Sequence, residues 1–457
     1  MWYNIENIKK EVKMDNQKIT FGKSNWTILI LFGLIGQIAW SVENMYFNMF
    51  VFNTISPNLS AITLMVQLSG ITATVVTLIA GTLSDKSGNR RSFIAWGYII
   101  WGFTVAIFGF LSPELMGNIF GVEPQKAVKM TLAAVIIGDC VMTLFGSTAN
   151  DASFNSWVTD NTKSAFRGTV EGVLSILPLG AMLIVAGGFG MLVEALGYKT
   201  LFLIMGIVIS LCGVLGIFII KDSPTLEKSG SMRDIFYGFK PSVIKGNAPL
   251  YISLIIVVIY GIACQIFMPY LIIYMNQYLK FSVLEYSAVF AVAILFGAGV
   301  NLYLTRLSDR KDKTTLLYIA TSVFALGLFT MYLSKDMGKA ATLILFGISG
   351  FVMICGFIFI SALSGSLVRD FTPKGEVGKL QGVRMVFSVL IPMLVGPMIG
   401  NAINAARNIP LPDQSSADTM TTEYIPAPEI FLAAAIAALL LFAVIPLLKK
   451  AVKKARQ

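Results

Sequence analysis

Three carboxylates stand inside long apolar stretches of this chain: Glu43, Asp139 and Asp151. An acidic residue at membrane depth costs roughly 2.5–3.5 kcal/mol on insertion scales, so it has a function or a partner. The chain has no histidine, which removes that residue as proton carrier, base or metal ligand. Cys140, Cys212, Cys264 and Cys355 each lie in an apolar run and none forms a CxxC pair. This pattern gives no disulfide framework and no zinc site, and no resident metal or cofactor is expected. What remains is a carboxylate that exchanges its charge for a small cation. Burial penalises the charged form, and a second carboxylate nearby adds to the penalty, so Glu43 or Asp151 can carry a proton. With both ionised, oxygens such as those of Asn44 and Thr74 complete a sodium site. The coupling set is therefore Glu43 and Asp151, with Asp139 next, and the ion is H+ or Na+.

Polar and aromatic neighbours repeat at helical spacing. Gln37, Ser41, Asn44 and Asn48 form one stripe, and Trp40, Glu43 and Phe47 form the next. Asp139, Thr143, Ser147 and Asn150 make a third stripe that leads to Asp151 and Phe154. On a membrane helix a polar stripe should face a wet cavity. Aromatic, carboxylate and amide groups together suit a sugar ring, whose C–H face stacks while its hydroxyls hydrogen-bond. All six tryptophans lie in the first half, and Trp40 and Trp157 are the stacking candidates. Beyond the midpoint the most polar run holds Tyr260, Gln265, Tyr270, Tyr274, Asn276 and Gln277. The expected solute contacts are Gln37, Trp40, Asn44, Phe47, Asn48, Thr143, Asn150, Phe154, Gln265 and Tyr270.

The elements that position these residues are membrane helices. The 457 residues are 56% hydrophobic and only 13% charged, against about a quarter charged in soluble domains. Roughly 20 apolar residues cross a bilayer, and twelve segments qualify: 26–52, 60–84, 92–112, 130–157, 168–193, 199–220, 249–279, 284–306, 314–334, 340–366, 378–405 and 429–448. With the N-terminus inside, the cytoplasmic segments hold 28 of the 35 Lys and Arg, the external ones 7, as the positive-inside rule requires. The net charge of +10 thus reflects topology rather than nucleic-acid binding. Residues 1–25 read as a cytoplasmic tail, not a cleavable signal. The expected fold is an all-α membrane protein with twelve transmembrane helices in two pseudo-symmetric six-helix bundles and both termini cytoplasmic. The bundles span 26–220 and 249–448, joined by a cytoplasmic linker at 221–248 and ended by a basic tail at 449–457. The external 406–428 loop is Pro- and Thr-rich and should be irregular. Pro178 and Pro392 should bend the fifth and eleventh helices.

An internal repeat supports the division. WVTDNTKSAFRGTVEGV (157–173) aligns without gaps to LVRDFTPKGEVGKLQGV (367–383), with Val158/Val368, Asp160/Asp370, Thr162/Thr372, Gly168/Gly378, Gly172/Gly382 and Val173/Val383 shared. Both copies link a descending helix to an ascending one, so two matching bundles surround a central path.

The second-to-third loop reads Gly81-Thr82-Leu83-Ser84-Asp85-Lys86-Ser87-Gly88-Asn89-Arg90-Arg91. It resembles the signature loop of the major facilitator superfamily, G-x-x-x-D-R/K-x-G followed by basic residues. The second copy is worn, Thr305-Arg306-Leu307-Ser308-Asp309-Arg310-Lys311, with Thr305 in place of the glycine. The resemblance covers essentially the whole chain. It implies a conformational latch of Gly81, Asp85, Arg90, Arg91, Asp309 and Arg310, in which Asp85 meets the eleventh helix and Asp309 the fifth. Gly81 would permit close helix approach, and Asp85 would meet the positive start of a helix.

The fourth helix ends Asn150-Asp151-Ala152-Ser153-Phe154-Asn155-Ser156-Trp157-Val158-Thr159-Asp160. This resembles the glycoside–pentoside–hexuronide:cation symporters, the melibiose-carrier family, in which a fourth-helix Asp helps bind the coupling cation. Asp151 is the matching position. The second helix departs from that pattern: it has no acid, only Thr63, Gln67, Ser69, Thr72, Thr74 and Thr77. The resemblance implies a monomeric symporter of a sugar or glycoside in the cell membrane, driven by H+ or Na+. A proton-driven exporter of amphipathic compounds and a lysolipid carrier are the alternatives on the same fold. A membrane-embedded enzyme lacks a Ser-His-Asp set, metal-ligand spacing and a phosphate loop.

Overall fold

A computed structural model describes residues 22–162, 167–223, 232–308, 312–335, 337–373, 380–411 and 423–455. Almost all of them are helical, and the single β contact among the described residues is an isolated antiparallel bridge between Ile409 and Ile425. The reason lies in the solvent. In hydrocarbon every backbone N–H and C=O must be paired within its own segment, which a helix achieves.

Among the described residues, eleven helical stretches are long and apolar enough to cross a membrane. The helices are α1 (Lys23–Thr54), α2 (Leu59–Ser87), α3 (Arg90–Phe108), α4 (Pro124–Asn161), α5 (Arg167–Ile184) and α6 (Gly190–Ile219). Beyond the linker come α7 (Ala248–Tyr278), α8 (Val283–Ser308), α9 (Lys313–Leu333), α10 (Lys339–Phe371), α11 (Gln381–Arg407) and α12 (Glu429–Lys454). One of the eleven stretches, Ile176–Ile219, is 44 residues long and runs from α5 into α6. Its backbone leaves helical geometry at Gly197, at φ 75 and ψ 161, a conformation that glycine adopts without Cβ strain.

Helix ends obey local chemistry. Asn58 caps α2 by accepting from the Ala61 N–H at 3.1 Å, and Asn89 caps α3 by accepting from Ser92 at 3.0 Å. Gly88 ends α2 at φ 64, the left-handed position that favours glycine. The linker is not wholly irregular: Met232–Phe239 form a 3-10 helix and Pro241–Gly246 a short α-helix. The 406–428 segment is tied at both described ends, by the Ile409–Ile425 bridge and by Asn404, whose Oδ1 accepts from the Ala427 N–H at 2.9 Å.

Small residues set the helix packing. A Cβ at Gly102 would run into the Gly206 carbonyl and into Ser210, and one at Gly97 would lie 2.6 Å from Ala149 Cβ. α3 therefore lies backbone to backbone on α6 and close on α4. Gly327 and Gly356 bring α9 and α10 together in the same way. Between the helices before and after the linker, α2 packs on α11, α5 on α8, and α1 on α7. A Cβ at Gly70 would lie 2.7 Å from Met393, and Gln67 Nε2 donates to the Leu394 carbonyl at 2.8 Å. α11 carries a π-helical turn at Val386–Leu390 immediately before Pro392, where the ring removes a ladder hydrogen bond.

Candidate functional site

Two π-helical turns fall on the acidic residues. α1 widens at Glu43–Phe47 and α4 at Ser147–Phe154. Each such turn inserts one residue and rotates the rest of its helix by about 100°. Glu43 Oε1 accepts from Ser69 Oγ of α2 at 3.0 Å and from Thr143 Oγ1 of α4 at 3.3 Å. The two hydroxyls lie 2.8 Å apart. Glu43 Oε2 is buried with no hydrogen-bond partner, and so is Oδ1 of Asp139, which is 2% exposed. Asp139 lies one helical turn before Thr143 on α4. Further along α4, half-buried Asp151 accepts from Ser147 Oγ at 3.0 Å, and Trp40 lies against it.

Ion pairs among the described residues include those of Asp85, Asp160, Asp370, Glu285 and Glu429. Glu43 and Asp151 are thus supplied with hydroxyl donors, and none of the three membrane-depth acids pairs with a Lys or Arg. Three carboxylates without a fixed counter-ion can hold a mobile cation. No three acidic or cysteine side chains converge as a metal-ion cluster among the described residues.

The expected stripes are turned relative to the helix wheel. Gln37 and Ser41 are half-buried and Asn44 is exposed, but Asn48 is 1% exposed, because the π turn between them rotates it inward. Trp40, Glu43 and Phe47 face the interior of the first bundle. Trp40 packs 5.0 Å from Trp101, and Phe47 packs edge-on 4.3 Å from Phe108 and 5.9 Å from Phe202. Glu43 opens on an apolar gap between α1, α3, α4 and α6, lined by Val105, Met142 and Met205 among others. Phe154 is buried between Phe32 and Trp157, and Trp157 Nε1 donates to the Lys221 carbonyl at 2.8 Å. Asn150 is 3% exposed beside Gly36 and the Tyr98 hydroxyl. Phe47, Asn48, Asn150 and Phe154 therefore pack the bundle in this structure and do not line an open path. Thr143 serves Glu43. Gln265 is half-buried against Gly396.

Tyr270 belongs to a seal. It is fully buried, and its hydroxyl meets Thr63 Oγ1 at 2.7 Å and donates to the Pro397 carbonyl at 2.9 Å. Nearby, Tyr424 donates to Asn401 Oδ1 at 3.0 Å, Asn401 Nδ2 donates to Ser60 Oγ at 3.1 Å, and Ser60 lies 3.3 Å from the Tyr424 hydroxyl. These bonds join α2 to α7, α11 and the segment before α12, at the end of the molecule away from Asp85.

At the opposite end the signature loop closes on itself. Arg90, 4% exposed, pairs with Asp85 and with Asp160 at 3.0 Å, and it hydrogen-bonds Ser84. The Arg91 N–H donates to Asp222 at 2.9 Å, and its guanidinium donates to the Ile217 carbonyl. The partner described for Asp85 is thus Arg90 of its own loop rather than α11. Gly81 does not set a close approach here, since a Cβ would meet only Ala152 at an ordinary 4.0 Å. Asp309 and Arg310 lie outside the described residues. In the second half, Lys313 at the start of α9 pairs with Asp370 at 2.6 Å, the counterpart of Arg90 with Asp160. Sequence reasoning matches Asp160 to Asp370 but does not name their cations. It also gives Ser69 no role. The spacing of Ser69 from Gly70 and Gln67, which face α11, is the available signal.

Helices long and apolar enough to cross a membrane, a hydrogen-bonded seal at one end and buried acids without paired cations point to a membrane transporter. The family model of the Major Facilitator Superfamily matches residues 29–397, and the chain belongs to that superfamily. A curated relative, the multi-drug resistance efflux pump PmrA homolog of Lactococcus lactis subsp. lactis (strain IL1403), is 23% identical over 319 residues, covering 66% of this chain and 75% of that protein. The fold matches the crystal structure of the nucleoside transporter NupG, with a TM-score of 0.64 at 14% identity over 93% of this chain and 98% of that one. It also matches a bacterial homolog of the human lysosomal transporter Spinster in an inward-facing, unoccupied conformation, with a TM-score of 0.65 at 13% identity over 93% and 96%.

Proposed function

We propose that this protein is a proton-coupled secondary transporter of a small polar solute, working by alternating access in a cell membrane. The observation that carries the reading is the set of Glu43, held by Ser69 and Thr143, Asp151, held by Ser147, and buried Asp139, with no cationic side chain paired to any of them. A proton entering this set neutralises a charge the bilayer penalises, and its release restores that charge, so the two states favour different packing around α1, α2 and α4. Sodium is the other candidate ion. The half-exposed amides and hydroxyl of Gln37, Ser41 and Asn44 suit a sugar or glycoside, in keeping with the melibiose-carrier resemblance.

The proposal includes twelve membrane passes with both termini cytoplasmic. A continuous 44-residue helix would span about 66 Å, over twice the hydrocarbon thickness, and the break at Gly197 divides it into two passes. The 28-to-7 distribution of basic residues supports the orientation. A second reading, proton-driven export of amphipathic compounds, is favoured by the curated efflux relative.

The test is transport in proteoliposomes holding the purified protein, with imposed proton or sodium gradients. Labelled sugars and glycosides, a nucleoside and ethidium are the probes. Sugar accumulation on a proton gradient supports the first reading, and ethidium movement against its gradient supports the second. Gradient-independent equilibration of all probes refutes coupling.

A further inference from the structure

The linker between the bundles carries chemistry that the transport reading does not use. Its 3-10 helix, Met232–Phe239, and the short helix Pro241–Gly246 follow one another with only Lys240 between them. One side of this segment is fastened to the second bundle. A Cβ at Gly238 would run into Val383 and would lie 3.1 Å from Leu380, so the linker backbone sits directly against the start of α11. The Gly238 carbonyl accepts from the Tyr251 hydroxyl of α7. Tyr237 and Val243 pack on a buried cluster from α7, α10 and the start of α11 that includes Leu254 and Val368. The other side is open among the described residues. Phe236 is 69% exposed, Phe239 39% and Ile244 38%. A 3-10 helix has three residues per turn, so Phe236 and Phe239 share a face. Lys240 directly follows Phe239, Lys245 directly follows Ile244, and both lysines are exposed. No acidic residue occurs from Phe236 to Ala248.

Exposed apolar side chains with a cation beside them suit the boundary between acyl chains and headgroups. There the rings enter the hydrocarbon while lysine stems reach back to the phosphates. Charge is the selective part of such a surface. Two cations with no acid between them favour an anionic headgroup over a zwitterionic one. We infer that the linker lies in the headgroup layer and holds an anionic phospholipid with Lys240 and Lys245, with Phe236, Phe239 and Ile244 buried in the same leaflet. Lys240 Nζ lies 5.6 Å from the centre of the Tyr237 ring, a contact through the ring face that leaves its N–H donors for headgroup oxygens. The inner side of the same segment bears on the start of α11, the helix that packs on α2. The lipid contact therefore stands beside the interface between the two bundles.

The experiment labels the full chain with bimane at Phe236→Cys, in a background of Cys140→Ala, since the other three cysteines are buried. Phe239→Cys repeats the measurement from the next turn. The protein is placed in vesicles of equal parts phosphatidylcholine and phosphatidylglycerol, with bromine on the acyl chains of one lipid or of the other. Bromine quenches at contact, so the two samples read which lipid lies beside the linker. Brominated phosphatidylglycerol should quench more strongly than brominated phosphatidylcholine, by roughly fivefold, the scale of one lysine at an anionic surface. The preference should vanish in the double variant Lys240→Gln, Lys245→Gln and should weaken at high salt. Both lysines are exposed, so these substitutions leave the packed side of the linker intact. Quenching by neither lipid puts the linker in water, where an acidic protein surface is the partner, and overturns the inference. Equal quenching by the two lipids overturns it as well, because the rings alone then hold the linker. So does a preference that the double variant keeps.

Discussion

The hydroxyl of Tyr270 offers the most direct test of how one end of the protein closes. Tyr270→Phe keeps the ring among its packed neighbours and removes one atom. That atom bonds Thr63 on α2 at 2.7 Å and the Pro397 carbonyl on α11 at 2.9 Å. A net hydrogen bond contributes about 0.5–1.5 kcal/mol, so the two together stabilise the closed end by about 2 kcal/mol. When this end opens, water can take over both partners, so the stabilisation belongs to the closed form alone. At 1.36 kcal/mol per factor of ten, the ratio of open to closed populations should rise about 30-fold. Spin labels at Pro57 and Ala405, one turn beyond the Ser60–Asn401 contact, report that ratio by double electron–electron resonance. A longer distance should gain weight in the variant, and Thr63→Val should reproduce part of the change. An unaltered distance distribution in a folded Tyr270→Phe protein would refute the seal.

Three further expectations concern other parts of the molecule. Arg90→Ala leaves Asp85 and Asp160 without their shared cation. Breaking a buried pair costs about 3–5 kcal/mol, and partial exposure of the two acids brings this to about 2 kcal/mol. Lys313→Ala, acting on a more exposed pair, should cost below about 1 kcal/mol, and equal losses of melting temperature would contradict the ranking. Gly102→Val forces side-chain atoms into the Gly206 carbonyl and should destabilise by about 3 kcal/mol. The loss would appear as reduced folded yield and early unfolding in detergent, and normal stability would mean α3 and α6 are not in backbone contact. Glu43→Gln and Asp151→Asn should abolish gradient-driven accumulation while exchange of solute at equal concentrations persists. Wild-type accumulation in both would move the coupling site elsewhere, first to Asp139.

Much of the architecture was legible along the chain because the bilayer imposes a one-dimensional rule. Apolar length, the spacing of charges and the placement of Lys and Arg reveal helices without reference to any contact between them. The family loop and the 157–173 to 367–383 repeat were legible for a related reason: each is a local string with its own turn chemistry, such as Gly88 in the left-handed position. The acids were legible as types, since Glu43, Asp139 and Asp151 interrupt apolar runs. Their surroundings were not. A helical wheel of uniform 3.6 residues placed Glu43 and Asn48 on a wet cavity, whereas the π turn at Glu43–Phe47 rotates the later residues, so Asn48 turns inward. Tertiary packing alone assigned Tyr270 to a seal, gave Asp160 and Asp370 their cations, and set Ser69 between two helices that carry acids. Those contacts join residues far apart in the chain, Thr63 to Tyr270 and Arg90 to Asp160. Their energies depend on distance and burial, which local periodicity does not encode.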